Sequence, residues 1–120
     1  MKATLYGIRQ CDTVTKARKW LEARHIDYEF HDFRVEGLSP ELLQGWVSRL
    51  GHEILVNRRG TTWRRLDESW KDGLDKPRAI QLMLENPTVI KRPVLDFADS
   101  LLVGFNEADY SNVFGSPNGK

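Results

Sequence analysis

The sequence predicts an α/β fold built on a mixed sheet of about four strands, and three observations carry that expectation. Residues 3–8 are short, apolar and β-prone, a helical repeat follows over 13–25, and residues 26–33 alternate apolar and polar. Strand, helix and strand in that order make a crossover, which joins parallel strands. Near the far end, residues 94–97 and 100–105 read as two strands about a turn at Asp99 and Ser100, an antiparallel hairpin. The stretch between these two regions is rich in helix signals.

Each element has its own signature. Leu5, Tyr6 and Ile8 mark the first strand. Asp12 or Thr13 is placed to cap the helix behind it, where Val14, Ala17 and Leu21 share a side opposite Lys16, Arg18, Lys19 and Glu22. Ser39 followed by Pro40 opens a second helix. Leu42, Leu43, Trp46, Val47 and Leu50 form its apolar face and Gly51 ends it. Residues 52–74 suggest short helical pieces and turns. A further helix is expected over 76–85, with Pro77 near its start, Ile80, Met83 and Leu84 on its buried face, and Asn86-Pro87 as its stop. Residues 88–91 look strand-like before Arg92-Pro93 interrupts. Asn106 caps a closing helix that runs to Phe114.

With 120 residues the chain fits one domain, expected over 1–115, followed by a frayed tail over 116–120. A net charge of +1 gives no general attraction to nucleic acid. No stretch approaches the ~18 consecutive apolar residues of a membrane span. No targeting segment is evident at the N-terminus, and a single cysteine forms no internal disulfide, so a reducing cytoplasm is the expected location. His25, His31 and His52 show no metal-ligand spacing, and no metal is expected. Trp20, Trp46, Trp63 and Trp70 read as packing residues rather than as a platform for bases.

The candidate chemistry begins at Cys11, which follows a strand and precedes a helix. The open amides and the dipole of a helix start favour a thiolate there, and a thiolate is a nucleophile. A buried, inert cysteine is the other reading of the same placement. Where a Cys-x-x-Cys motif would supply a resolving thiol, this chain has Val14, so turnover requires an outside thiol such as glutathione. Arg92 before Pro93 is either an anion-holding guanidinium or a surface arginine ahead of an edge proline. Arg58-Arg59 and Arg64-Arg65, around Gly60, are either an anion site, a patch for an acidic partner, or a solvated basic face.

Taken together, the cysteine-bearing run from Leu5 through Val14 with Lys16-Ala17-Arg18-Lys19-Trp20-Leu21 resembles the N-terminal motif of the arsenate reductase (ArsC)/Spx family, and within it the YffB subgroup. Asn57-Arg58-Arg59-Gly60-Thr61-Thr62-Trp63 and Ile90-Lys91-Arg92-Pro93-Val94-Leu95 match further family blocks in order. The resemblance implies a thioredoxin-like mixed sheet with a helical insertion between the second and third strands. It implies Cys11 as nucleophile, Arg92 and one of Arg58 or Arg59 as anion-binding arginines, Pro93 as a cis proline, and Asp12 and Thr13 beside the substrate. Residues 96–105 hold no arginine where arsenate reductases carry a further one. The implied activity is therefore a glutathione-dependent thiol reductase, with glutathione as co-substrate and glutathionylated thiols or glutaredoxin as partners. The alternative implied by the Spx branch is a regulator that binds the RNA polymerase α subunit.

Overall fold

The computed structural model describes residues 2–115; the expected tail over 116–120 lies outside them. In chain order the elements are β1 (Ala3–Gly7), α1 (Asp12–Ala23), β2 (Tyr28–Asp32), α2 (Phe33–Glu36), α3 (Pro40–Leu50), α4 (His52–Leu55), α5 (Thr61–Arg65), α6 (Glu68–Lys71), α7 (Lys76–Glu85), a 3₁₀ turn (Pro87–Val89), β3 (Val94–Phe97), β4 (Ser100–Val103) and α8 (Glu107–Phe114). They fall into two compact units. One comprises the described residues through Glu36 and those from Arg92 onward; the other is Gly37–Lys91.

The first unit holds a four-stranded mixed sheet in the order β2-β1-β3-β4. β1 and β2 are parallel, while β3 pairs antiparallel with both β1 and β4. This is a thioredoxin-like arrangement with the helical segment inserted between the second and third strands, as the sequence predicts. α1 lays Ala17, Trp20 and Leu21 against Ala3, Leu5, Leu95 and Tyr110 to form the core. The approach of α1 to β1 is close: a Cβ on Gly7 would stand 2.7 Å from Cγ2 of Val14, so only a hydrogen fits there.

α1 is shorter than the sequence suggests, and its cap differs. The N-cap is Cys11, not Asp12 or Thr13, and its side chain makes no capping bond. The helix stops at Ala23 because His25 turns to φ 56°. The His25 N–H then reaches the Glu22 carbonyl and the Ile26 N–H reaches that of Leu21. This is the left-handed stop that glycine usually supplies, so no glycine signal announced it. The β3–β4 hairpin likewise turns through Ala98 at φ 53°.

In the second unit, the Ser39 hydroxyl accepts the Leu42 N–H at 3.1 Å, and Gly51 at φ 88° ends α3. α3 and α7 pack together. The buried residues of α7 are Ala79, Leu82 and Met83; Met83 is buried as expected, whereas Ile80 and Leu84 are only half-buried, the buried face being offset by one residue. Residues 88–91 are not a strand. Pro87 starts a 3₁₀ turn, after which a single antiparallel bridge joins Ile90 to Val56. The Asn57 and Lys91 N–H groups close it on the Val89 and Leu55 carbonyls, each at 2.8 Å.

Tyr110 is fully buried between Trp20 and Phe105, and among the described residues its hydroxyl has no hydrogen-bond partner. Burial pushes its phenol well above the ordinary tyrosine value of 10.0. As pH rises past that value the unfolded chain ionises first, so this phenol favours unfolding in alkali. We predict that Tyr110→Phe keeps or raises stability at neutral pH, by up to about 1 kcal/mol, since the hydroxyl is buried unpaired. The variant's margin over the wild type should grow above pH ~10. Urea unfolding at pH 7 and at pH 10.5 (chosen to straddle that onset, roughly) checks both points.

Candidate functional site

The register of the sheet gathers the candidate residues at one end. Gly7 is paired with Asp32, Tyr6 with Val94, and Val94 with Val103. Continuing that register by one residue sets Pro93 beside Gly7 and Gly104 beside Pro93. The Gly104 N–H donates to the Pro93 carbonyl at 2.8 Å, as this row requires. Asp32, Gly7, Pro93 and Gly104 therefore form one row across the sheet. Beyond it lie the segment leading to Cys11, the start of α2, and Arg92.

Cys11 is half-buried and free. Its N–H donates to the Ile8 carbonyl at 3.2 Å, closing a turn after β1. Its carbonyl accepts the Thr15 N–H at 2.9 Å and the Thr15 hydroxyl at 3.2 Å. Its backbone is extended, with φ −110° and ψ 125°, as a helix N-cap is. Asp12 and Thr13 are the first two residues of α1; Asp12 is exposed and Thr13 half-buried. Their main-chain N–H groups belong to the open end of the helix. The Arg92–Pro93 bond is cis, Pro93 is buried, and Arg92 is half-buried.

Asp32 is the residue the sequence reading passed over. It is 6% exposed, the one buried carboxylate among the described residues, and it has no ion-pair partner there. Oδ2 accepts the Arg9 N–H at 3.1 Å and Oδ1 accepts the Arg34 N–H at 3.0 Å. One side chain thus ties the segment before Cys11 to the first turn of α2, which it caps. A signal was available: in the alternation Ile26, Tyr28, Phe30, Asp32, the last apolar position carries a charge. An open cleft of about 680 Å³ lies over this tie, lined by Arg9, Gln10, Asp32, Arg34 and Val35.

Arg58 and Arg59 belong to the second unit and are exposed. The Asn57 side-chain carbonyl accepts the Arg59 N–H at 3.1 Å, folding the turn on which both stand. The Arg58 guanidinium lies 5.2 Å from the centre of the Trp63 ring. The Arg64 guanidinium donates to the Arg59 carbonyl at 2.8 Å. Among the described residues no cluster of three His, Cys, Asp or Glu side chains could hold a metal ion, and no helix is long and apolar enough to cross a membrane.

A thioredoxin-like sheet, one cysteine at the start of the first helix and a cis proline before the third strand define the class: a thioredoxin-fold protein with a single thiol. Within that class the chain belongs to the ArsC family, whose model matches residues 6–113. An uncharacterized protein of Haemophilus influenzae is 48% identical over 111 residues, covering 92% of this chain and 97% of that protein. The solved structure of a YffB protein superposes with a TM-score of 0.89 at 45% identity, covering 92% of this chain and 96% of that one. The global transcriptional regulator Spx of Listeria innocua is 31% identical over 108 residues, 87% of this chain and 80% of that protein.

The tie at Asp32 makes a quantitative prediction. Asp32→Ala leaves two main-chain N–H groups without their acceptor, at an expected cost of about 2–4 kcal/mol. Urea denaturation measures it; an unchanged midpoint would mean that the Cys11 segment and α2 are held by other contacts.

Proposed function

We propose that this chain is a monothiol, glutathione-dependent disulfide reductase. The observation that carries the reading is the place of Cys11. It is the chain's only thiol, and it stands at the N-cap of α1, on the sheet end that also holds Arg92 and Pro93. The Cys11 thiolate attacks the glutathione sulfur of a protein–glutathione disulfide. The new Cys11–glutathione disulfide forms as the protein thiolate leaves. A second glutathione thiolate then attacks the glutathione sulfur of that adduct, freeing the Cys11 thiolate and releasing oxidised glutathione. One free glutathione thiolate is thus oxidised as the protein sulfur is reduced, the other half of the oxidised glutathione having arrived on the substrate, and no proton is gained or lost.

Val14 stands where a resolving cysteine would be, so the adduct waits for an outside thiol. The open N–H groups of Asp12 and Thr13 stabilise charge on sulfur during each exchange. Arg92 holds a carboxylate of glutathione. A guanidinium has five N–H donors, enough to add a bidentate carboxylate to contacts it already makes. The absence of arginine over residues 96–105 favours a thiol substrate over arsenate. Similarity to Spx across most of the chain favours one other reading, a regulator that binds the RNA polymerase α subunit.

Incubation with oxidised glutathione followed by mass spectrometry tests the proposal. The wild type is expected to gain one glutathione and Cys11→Ser none. A wild type that takes up no glutathione but retains polymerase α subunit on a column would replace the enzyme reading with the regulatory one. A second measurement concerns Arg92. Arg92→Ala should slow adduct formation by at least about tenfold, the worth of one charge-assisted hydrogen bond. Lys at this position should restore little, because it lacks the planar fork. Equal slowing with a small neutral disulfide would instead mean that Arg92 acts on Cys11 and not on glutathione.

A further inference from the structure

The cleft lined by Arg9, Gln10, Asp32, Arg34 and Val35 has no part in the reading above. Arg9 and Arg34 are exposed, and among the described residues neither guanidinium has a carboxylate partner. Surface arginines are usually mobile, but the main chain under these two is fixed. The buried Asp32 carboxylate accepts the N–H of each, so both arginines line the cleft from anchored main chain, the Arg9 guanidinium standing 5.9 Å from the centre of the Phe30 ring. The single charge of Asp32 is spread over two hydrogen bonds and outnumbered by two guanidiniums. The cleft therefore carries net positive charge, with Gln10 as a neutral hydrogen-bonding neighbour. Val35, 81% exposed, adds apolar surface beside it. Arg9 and Gln10 lead directly into Cys11 along the chain, so one small molecule or peptide could engage both the cleft and the thiol.

We propose that this cleft is a carboxylate subsite, and that it selects disulfide substrates bearing an acidic group within a few residues of the reacting cysteine. The role in selection rests on the thiol-exchange reading; the binding does not. Arg9 and Arg34 are specificity residues, and Asp32 is the positioning residue that braces them. The carboxylate has two possible sources, glutathione itself or an acidic segment of a protein substrate.

The test compares four reagents by the rate of Cys11 adduct formation: a cysteine peptide disulfide flanked by Glu, the same peptide with Gln, oxidised glutathione, and 2-hydroxyethyl disulfide. The wild type should prefer the Glu peptide over the Gln peptide by at least about tenfold, a preference that shrinks as salt is added. In the double variant Arg9→Gln, Arg34→Gln that ratio should fall close to one. A ratio near one in the wild type, or an undiminished ratio in the variant, overturns the proposal. The rate with oxidised glutathione relative to 2-hydroxyethyl disulfide separates the sources. A fall in the variant identifies the tripeptide as occupant, and no fall identifies the protein segment. Binding is read apart from exchange by NMR titration of Cys11→Ser protein with the two peptides, each carrying Ser for Cys. The Arg9 and Arg34 N–H signals should shift and saturate with the Glu peptide and move much less with the Gln peptide. Identical responses overturn the subsite even if Cys11 proves unreactive, whereas a Glu-specific response with no exchange overturns only the thiol reading.

Discussion

Everything at the candidate site depends on β1 being paired on both edges. β2 fixes one edge in parallel register and β3 the other in antiparallel register. A central strand held this way cannot slip by a residue without turning Ala3 and Leu5 out of the core. The same register sets Asp32, Gly7, Pro93 and Gly104 in line. Because β1 and β2 run toward this end while β3 begins at it, the segments leaving and entering the sheet meet there. Cys11, α2 and Arg92 are brought together by strand pairing, with no contact between their side chains required.

The second constraint is electrostatic. A buried carboxylate needs compensation, and an arginine or lysine partner is the usual source. Asp32 takes main-chain N–H groups in its place. These donors cannot swing away as a long side chain can, so the charge is solvated by the backbone and the backbone is pinned in return. Two short connections that would otherwise fray, the segment before Cys11 and the single turn of α2, acquire a fixed relation. That rigidity suits the proposed thiol exchange, in which misplacement of the reacting sulfur would raise the barrier directly.

The close fit of Gly7 against Val14 serves the same end from below. With no Cβ on the strand, α1 can settle against β1 and bring its first turn down to the row that Pro93 continues. Val14 is thus committed to packing and leaves no thiol on α1 besides Cys11. The second unit is built differently, from short helices joined by turns, with its order set by caps at Ser39, Asp67 and Asp75 and by the bridge between Val56 and Ile90. Of its arginines at 58, 59, 64 and 65, Arg58 lies near the Trp63 ring and Arg64 donates to the Arg59 carbonyl, and none has a carboxylate partner among the described residues.

By itself the sequence determined what is local. Ser39-Pro40 ahead of an apolar helical repeat marks the start of α3, Asn106 caps the last helix, Gly51 stops α3, and Cys11 falls at the strand–helix junction because the periodicity changes there. The family blocks around Cys11 and Arg92 were legible for the same reason, as short runs of adjacent residues. The tertiary structure decided what depends on distant partners. His25 ends α1 in the left-handed region without a glycine to mark it, and residues 88–91 bond to Val56 and Leu55 instead of joining the sheet. Asp32 became a brace only because β2 lies beside β1, which places its carboxylate under an N–H twenty-three residues away. Hydrogen-bond partners of that separation are set by strand register, and register is a property of paired strands that no single segment encodes.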